Sequence, residues 1–108
     1  MDRPPEISTE NAKKRLGEDN IIFIDVRDAA SYSGSHIPYA IHVHDANIAD
    51  FIKETDKNKT VIVYCYHGNS SLGGAAYLLE NGFEDVFSME GGFEEWRVAY
   101  PSDTQSSA

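Results

Sequence analysis

Two short runs of consecutive apolar residues constrain the fold of this chain more than any other feature of its sequence. They are residues 21–24 (IIFI) and residues 61–64 (VIVY). Neither run alternates with polar residues, and unbroken apolar runs are typical of strands that are buried on both faces of a sheet. Segments with helical spacing lie between the predicted strands. The sequence therefore predicts an α/β fold in which helices cover both faces of a parallel sheet.

Weaker patterns predict the remaining elements and the extent of the domain. Short strands are predicted at residues 41–43 and 86–88. Apolar residues at helical spacing predict helices near residues 9–16, 47–53, 72–80 and 93–97. The polar residues 102–108 are predicted to form a disordered tail. We therefore expect a single domain over residues 1–108, with a core of about residues 7–101.

Size and charge exclude several classes of protein. The chain has 108 residues and carries 18 acidic against 9 basic residues, a formal net charge of −9. No basic stripe could neutralise the phosphates of a nucleic acid, and no apolar run approaches the length of a membrane-spanning helix. The amino terminus lacks the pattern of a secretory signal, and a single cysteine cannot form an internal disulfide. We therefore expect a cytoplasmic protein without a nucleic-acid or membrane partner.

The single cysteine, Cys65, follows the second apolar run and precedes a loop and a helical segment. In a parallel α/β sheet, ligands bind outside the carboxyl ends of the strands, and Cys65 belongs at that edge. A helix amino terminus offers unpaired N–H groups and partial positive charge, which favour the thiolate over the thiol. Cys65 is thus a candidate nucleophile. The alternative is a small buried hydrophobic residue at the end of a strand.

The loop after Cys65 has the composition of an anion-binding cradle. Gly68, Asn69, Ser70 and Ser71 can adopt the backbone angles of a tight loop, which would turn successive N–H groups toward a negative atom. Phosphatases with a cysteine nucleophile have an arginine at the position of Ser71, where it grips the phosphoryl oxygens. Without that arginine, the loop suits a smaller, singly charged species such as a persulfide.

Three segments, in this order, resemble the signatures of the rhodanese family of sulfurtransferases. They comprise residues 32–38 (YSGSHIP), 65–70 (CYHGNS) and 86–96 (VFSMEGGFEEW). Residues 25–27 (DVR) also fit the family's pattern at an early strand end. The family usually has glycine at the position of Tyr39 and an aromatic residue at that of Met89. The resemblance covers about residues 7–101. In its size and its loop, the chain is similar to the single-domain bacterial members of the family.

The resemblance implies a single rhodanese-like domain, with a five-stranded, mostly parallel sheet and helices on both faces. It implies that the Cys65 thiolate attacks the outer sulfur of thiosulfate, releases sulfite and holds a persulfide. Cyanide or a dithiol, such as a thioredoxin-like protein or a lipoyl group, then takes this sulfur. Backbone N–H groups would stabilise its negative charge. The substrate-binding loop residues implied are Tyr66, His67, Gly68, Asn69, Ser70 and Ser71. No cofactor or metal is implied.

Several polar side chains near the predicted site also have structural interpretations. Arg27 is a candidate for guiding an anion inward, although an ion pair with Asp25 is the interpretation that we favour. His67 fits the rim of the pocket better than a general base, because a stabilised thiolate needs no base. His42 and His44 lack the further ligands that a metal site needs.

Structural roles are also expected for one more histidine and three aromatic residues near the predicted site. His36 is expected to order its own loop through a hydrogen bond. Tyr66 is either a wall that excludes water or an exposed side chain. Phe93 and Trp96 are expected to pack in the core, and the preceding glycines could bring that turn close to the pocket.

Other functions stay open at this point. The chain could be a relay subunit that receives its sulfur from a protein persulfide. A cysteine phosphatase or arsenate reductase is disfavoured because Ser71 replaces the arginine, and an inert interaction module has no physical need for the thiol and its loop. An external acceptor must take any transferred sulfur, because the chain has no second cysteine.

Overall fold

The computed structural model describes residues 3–107, in which five strands and five helices follow one another. They are β1 (Glu6–Ile7), α1 (Thr9–Lys14), β2 (Ile21–Asp25), α2 (Ala29–Gly34), β3 (Ile41–His42), α3 (Ile48–Glu54), β4 (Thr60–Tyr64), α4 (Ser70–Glu80), β5 (Asp85–Met89) and α5 (Gly92–Ala99). The strands form one sheet in the order β1-β5-β4-β2-β3, and all neighbouring strands are parallel. The predicted α/β class and five-stranded sheet are confirmed.

Helices cover both faces of this sheet because its central strand is apolar on both sides. Every residue of β4 is buried, and its side chains alternate between two cores. On one face Ile62 packs in a cluster with Trp96 of α5. On the other face Val63 packs in a cluster with Leu78 of α4. Within residues 3–107, no helix is long and apolar enough to cross a bilayer.

The carboxyl ends of β2 and β4 meet at one edge of the sheet. Asp25, the last residue of β2, lies in register with Tyr64, the last residue of β4. The N–H of Val26 continues this pairing by donating to the carbonyl oxygen of Tyr64 at 3.0 Å. The segment after β2 and the loop that starts at Cys65 therefore leave the sheet side by side.

Two short elements lie outside the sequence predictions. Strand β1 has only 2 residues and is formed by pairing with β5 at the edge of the sheet, so it carries no periodicity of its own. Helix α2 begins after Asp28, whose carboxylate accepts a hydrogen bond from the N–H of Ser31 at 3.0 Å. This is the usual role of aspartate before a helix, and Asp28 is the signal by which α2 could have been found.

The structure places residues 102–107 along the loop after α2, and the disorder predicted for residues 102–108 stays a prediction. Gln105 exchanges two backbone hydrogen bonds with His36, each 2.8 Å long, and the N–H of Ser107 donates to the carbonyl oxygen of Ser33 at 2.8 Å. Ala108 lies outside the described residues. Composition could not show these hydrogen bonds, because the partners of the backbone groups are distant in sequence.

Tyr39 occupies an unusual backbone conformation in the connection between α2 and β3. Its φ angle is +67° and its side chain is 80% exposed. A positive φ angle is the conformation that glycine adopts at least cost. The geometry explains why the sequence motif that this segment resembles usually has glycine here, and it implies local strain in this chain.

Candidate active site

Cys65 lies directly after β4, beneath the loop that leads into α4. Residues 66–69 form this loop, and α4 begins at Ser70. Cys65 is 3% exposed. Four of the loop residues that follow it are exposed, namely Tyr66, His67, Asn69 and Ser70. The thiol is therefore shielded from bulk water, but it lies under a surface loop rather than between the helices and the sheet.

Two backbone N–H groups and one hydroxyl group converge on the sulfur of Cys65. The amide nitrogens of Gly68 and Ser71 each lie 3.2 Å from Sγ. Oγ of Ser71 lies 3.3 Å from Sγ. Ser71 is in the first turn of α4, where the N–H groups have no partner within the helix. Within residues 3–107, no hydrogen bond joins Sγ to the N–H groups of Tyr66, Asn69 or Ser70.

These donors lower the pKa of the Cys65 thiol although the side chain is buried. Burial by itself raises this pKa, because it disfavours the charged form. The hydroxyl of Ser71 and the backbone N–H groups of Ser71 and Gly68 outweigh the effect of burial, with a smaller contribution from the N–H of His67, which forms no hydrogen bond to Sγ in the described residues. The thiolate is the nucleophilic form of cysteine, so the arrangement activates Cys65 for attack on an electrophile.

The Gly91-Gly92 turn between β5 and α5 packs against the backbone of the loop that starts at Cys65. The N–H groups of Phe93 and Glu94 donate to the carbonyl oxygens of Cys65 and Tyr66, at 2.8 and 3.1 Å. Gly92 has a φ angle of +61°, and a Cβ atom there would lie only 2.4 Å from the carbonyl oxygen of Tyr66. The close approach that the sequence suggested for this turn is therefore present.

Gly68 meets the same turn from the side of the loop. Its φ angle is +94°, and a Cβ atom there would lie 3.2 Å from the backbone nitrogen of Gly91 and from the carbonyl oxygen of Met89. A larger residue would be strained by its φ angle and crowded by backbone atoms. Glycine at this position thus allows the loop to curl tightly enough to aim its N–H group at the sulfur.

Arg27 forms the buried ion pair with Asp25 that the sequence favoured. Its Nη2 atom lies 2.7 Å from Oδ2 of Asp25, and the two side chains are 5% and 0% exposed. The guanidinium also donates to the carbonyl oxygen of Ser35 and lies 4.2 Å from the centre of the Phe93 ring. Asp25 compensates most of the positive charge of Arg27. Anion guidance by Arg27 stays a prediction.

Tyr66 and His67 form the outer part of the loop. The side chain of Tyr66 is 41% exposed, and its hydroxyl contacts the carboxylate of Asp28 and the hydroxyl of Ser31. These contacts fasten the loop to the start of α2. Tyr66 is exposed, and its role as a wall that excludes water stays a prediction. His67 is exposed, and its imidazole has no hydrogen bond to any residue of the described range. Its place on the rim stays a prediction.

Residues 32–38 stabilise the fold beside the site. Nδ1 of His36 lies 2.7 Å from the carbonyl oxygen of Tyr32, and the two rings stack at 4.0 Å. The N–H of Ile37 donates to the hydroxyl of Tyr64 at 3.1 Å. His36 thus orders its own loop, as expected. Nε2 of His42 lies 2.6 Å from the carbonyl oxygen of Arg27. In the described range, no group of His, Cys, Asp or Glu side chains could hold a metal ion.

Ser88 of β5 is a member of the site that sequence reasoning missed. Its Oγ lies 2.7 Å from Oγ of Ser71, and both residues are fully buried. Ser88 is a polar residue at the end of the short strand predicted at residues 86–88, and this was the available signal. Its proximity to the cysteine depends on the neighbouring positions of β4 and β5 in the sheet, which the sequence does not reveal.

Relatives of this chain share its sequence over nearly the full length. A model of the rhodanese-like domain family matches residues 8–99. Thiosulfate sulfurtransferase GlpE of Pseudomonas syringae pv. syringae is 46% identical over 101 residues, covering 94% of this chain and 91% of that protein. Thiosulfate sulfurtransferase GlpE of Pseudomonas fluorescens is 48% identical over 103 residues, covering 95% of this chain and 90% of that protein.

Solved structures share the same fold. A crystal structure of a Bacillus halodurans protein has a TM-score of 0.82 and 30% identity, and the match covers 96% of this chain and 78% of that chain. A rhodanese-like domain protein from Staphylococcus aureus has a TM-score of 0.75 and 29% identity, with coverage of 85% and 90%. The resemblance found in the sequence segments is thereby confirmed, and the chain belongs to the rhodanese-like domain family.

Proposed function

We propose that this protein is a thiosulfate sulfurtransferase that passes the outer sulfur of thiosulfate to a thiophilic acceptor through a persulfide on Cys65. The observation that carries this function is the convergence of two N–H groups and the Ser71 hydroxyl on Sγ. The names of the relatives from Pseudomonas syringae and Pseudomonas fluorescens, 46% and 48% identical, support thiosulfate as the donor.

In the first step, the Cys65 thiolate attacks the outer sulfur of thiosulfate. A bond forms between Sγ and this sulfur, the S–S bond of thiosulfate breaks, and its electron pair leaves with sulfite. The product is a persulfide with one negative charge on its outer sulfur. N–H groups of residues 66–71 stabilise this charge without reorganising, because the Gly91-Gly92 turn holds the loop in place.

In the second step, an external acceptor attacks the outer sulfur, and the electron pair of the S–S bond returns to Sγ. With cyanide the product is thiocyanate. With a dithiol, such as a thioredoxin-like protein or a lipoyl group, the acceptor becomes a persulfide, and its second thiol then displaces hydrosulfide. The acceptor must be external because Cys65 is the single cysteine of the chain. We expect this reaction in the cytoplasm, where dithiols are kept reduced.

The charges around the site fit a singly charged intermediate. The loop from Cys65 to Ser71 contains no arginine or lysine, and the chain has a net charge of −9. Arg27 attracts anions only at short range, because Asp25 neutralises it. Thiosulfate must therefore be held by nearby N–H groups against the overall field of the protein. A phosphoryl dianion would lack the arginine that cysteine phosphatases use.

Mass spectrometry of the intact protein tests the persulfide. Cyanide-treated protein should gain one sulfur atom on incubation with thiosulfate and lose it when cyanide is added, with an equal amount of thiocyanate formed. Cys65→Ser should show neither change. Thiocyanate formation by Cys65→Ser at the wild-type rate, or no mass gain by the wild-type protein, would contradict the mechanism.

Two further assays separate the alternatives. A relay subunit would take up sulfur from a cysteine desulfurase much faster than from thiosulfate, so the two donors are compared at equal concentrations. Hydrolysis of a small aryl phosphate would support a cysteine phosphatase. We expect thiosulfate to be the faster donor and the aryl phosphate to be stable, because Ser71 replaces the phosphate-binding arginine.

A further inference from the structure

A buried chain of hydrogen bonds leads from the cysteine into the sheet. Sγ of Cys65 lies 3.3 Å from Oγ of Ser71, which lies 2.7 Å from Oγ of Ser88. Within residues 3–107, the hydroxyls of Ser71 and Ser88 form no hydrogen bonds besides these two. Both serines are fully buried. Sγ also accepts hydrogen bonds from the N–H groups of Gly68 and Ser71. The hydrogens that can change direction are therefore those of the thiol and of the two hydroxyls.

The number of these hydrogens differs between the two ionisation states of Cys65. In the thiolate state the two hydroxyl hydrogens are enough for the two hydrogen bonds, since Ser88 donates to Ser71 and Ser71 donates to Sγ. In the thiol state a third hydrogen is present, and one of the three has no acceptor among the three groups. A buried donor without an acceptor destabilises the state that contains it. The geometry thus favours the thiolate.

We propose that Ser88 is a positioning residue, whose hydroxyl donates to Oγ of Ser71 and thereby turns the Ser71 hydrogen toward the sulfur of Cys65. Without Ser88, the Ser71 hydroxyl loses the donor that orients it. Its own hydrogen still has Sγ as an acceptor, but its O–H group is less polarised and therefore stabilises the negative charge on Sγ less. Ser88 thus acts on the nucleophile through Ser71 and does not contact the sulfur or the substrate.

The sheet holds Ser88 in the position that this role needs. Ser88 lies between two neighbouring strands, in register with Val63 of β4 and Glu6 of β1. Its N–H donates to the carbonyl oxygen of Pro5 at 2.9 Å. The backbone of Ser88 is therefore fixed, and its hydroxyl is presented to Ser71 at a constant distance.

The charged and titratable groups of the segments next to the cysteine loop lie on other elements than Ser88. The first turn of α4 carries no acidic residue. The groups concerned are Arg27 and Asp28 after β2, Tyr66 and His67 in the loop, and Glu94 on α5. No hydrogen bond in residues 3–107 joins any of them to the side chain of Ser88. A change in the titration of Cys65 on substitution of Ser88 would therefore report the lost hydroxyl.

The same hydrogen bonds act on the proposed sulfur transfer, and this part rests on the function proposed above. When the acceptor removes the outer sulfur, the electron pair returns to Sγ, which becomes negatively charged again. The Ser71 hydroxyl stabilises this leaving sulfur, and a better stabilised thiolate leaves faster. Ser88 therefore favours both the formation of the thiolate and the discharge of the persulfide.

The test compares Ser88→Thr with Ser88→Val, which have the same shape but differ in the hydroxyl group. The rate of Cys65 alkylation by iodoacetamide is measured against pH on cyanide-treated protein. We expect the valine variant to react about three- to tenfold more slowly than the threonine variant near pH 7, from the usual strength of one hydrogen bond. The limiting rates at high pH should be equal.

Identical pH profiles of the two variants would overturn the role of Ser88, as would equal losses at all pH values, which indicate a structural effect. If threonine or valine at this position prevents folding, Ser88→Ala is compared with the wild type instead, since this pair also differs in the hydroxyl group. Alkylation needs no thiosulfate, so its outcome is independent of the sulfur-transfer function. Slower discharge of the persulfide by cyanide in Ser88→Val than in Ser88→Thr then tests the second part of the role.

Discussion

Gly92 is the position where a single methyl group should do most damage to the site. It has a φ angle of +61°, and an added Cβ atom would lie 2.4 Å from the carbonyl oxygen of Tyr66 and 2.6 Å from that of Cys65. These carbonyl oxygens accept hydrogen bonds from the first N–H groups of α5. Neither oxygen can move aside without displacing the loop that surrounds the thiol, so Gly92→Ala should impair both stability and activity.

Two costs set the size of the effect on stability. An alanine in the left-handed region costs roughly 1–2 kcal/mol relative to glycine. Overpacking against backbone atoms costs a further 1–3 kcal/mol, approximately. The free energy of unfolding should therefore fall by roughly 2–5 kcal/mol. In a domain of this size, each kcal/mol lowers Tm by about 4 °C or more, so a loss of at least about 8 °C is expected.

Gly73→Ala is the matched control, because Gly73 lies inside α4 and a Cβ atom there has nothing within 4 Å. This substitution should raise stability by roughly 0.5–1 kcal/mol, since alanine favours a helix interior. Thermal unfolding, thiocyanate formation and the pH profile of Cys65 alkylation are measured for both variants. If Gly92→Ala keeps the Tm, the activity and the alkylation profile of the wild type, the support of the loop by this turn is refuted.

Three other residues offer independent tests. Asp25→Asn leaves the buried charge of Arg27 unpaired, so urea titration should show a loss of roughly 3–5 kcal/mol. A loss within experimental error would refute a structural ion pair. Tyr39→Gly removes the strain of a positive φ angle and should be neutral or stabilising by up to about 1 kcal/mol, whereas Tyr39→Val should destabilise; equal Tm values would contradict the strain. The pKa of the Cys65 thiol is lowered by folding, so the free energy of unfolding should rise with pH from the folded-state pKa up to that of an unfolded thiol, about 8.5, and fall again as pH decreases. Cys65→Ser should lack this rise, and its presence there would assign the effect to another group.

The architecture could be predicted where the residue pattern of a short segment indicates how that segment is buried. The apolar runs at residues 21–24 and 61–64 became β2 and β4, because such runs are typical of strands in a sheet that is covered on both faces. Their parallel arrangement brought Cys65 to the same edge as the Asp25–Arg27 pair. Where an element depends on a distant partner, as β1 depends on β5, no local signal exists.

The candidate site divides in the same way. Cys65, the small loop residues and the absence of a phosphate-binding arginine could be recognised from neighbouring positions in the chain. The glycines suggested that the Gly91-Gly92 turn comes close to the pocket, but its contacts with the loop and the contact with Ser88 could not be predicted, because they join residues far apart in the sequence. Their distances are set by the order and register of the strands.

The amino-acid sequence by itself determined the α/β class, the family and the candidate nucleophile, Cys65. These properties depend on periodicity, residue type and spacing, which are local. Only the tertiary structure decided that the backbone of Gln105 pairs with that of His36, that the N–H groups of Phe93 and Glu94 bind the loop after β4, and that Ser88 lies behind Ser71. Each of these outcomes is a choice of partner for a polar group, and burial limits that choice to the groups that the fold brings within hydrogen-bond distance.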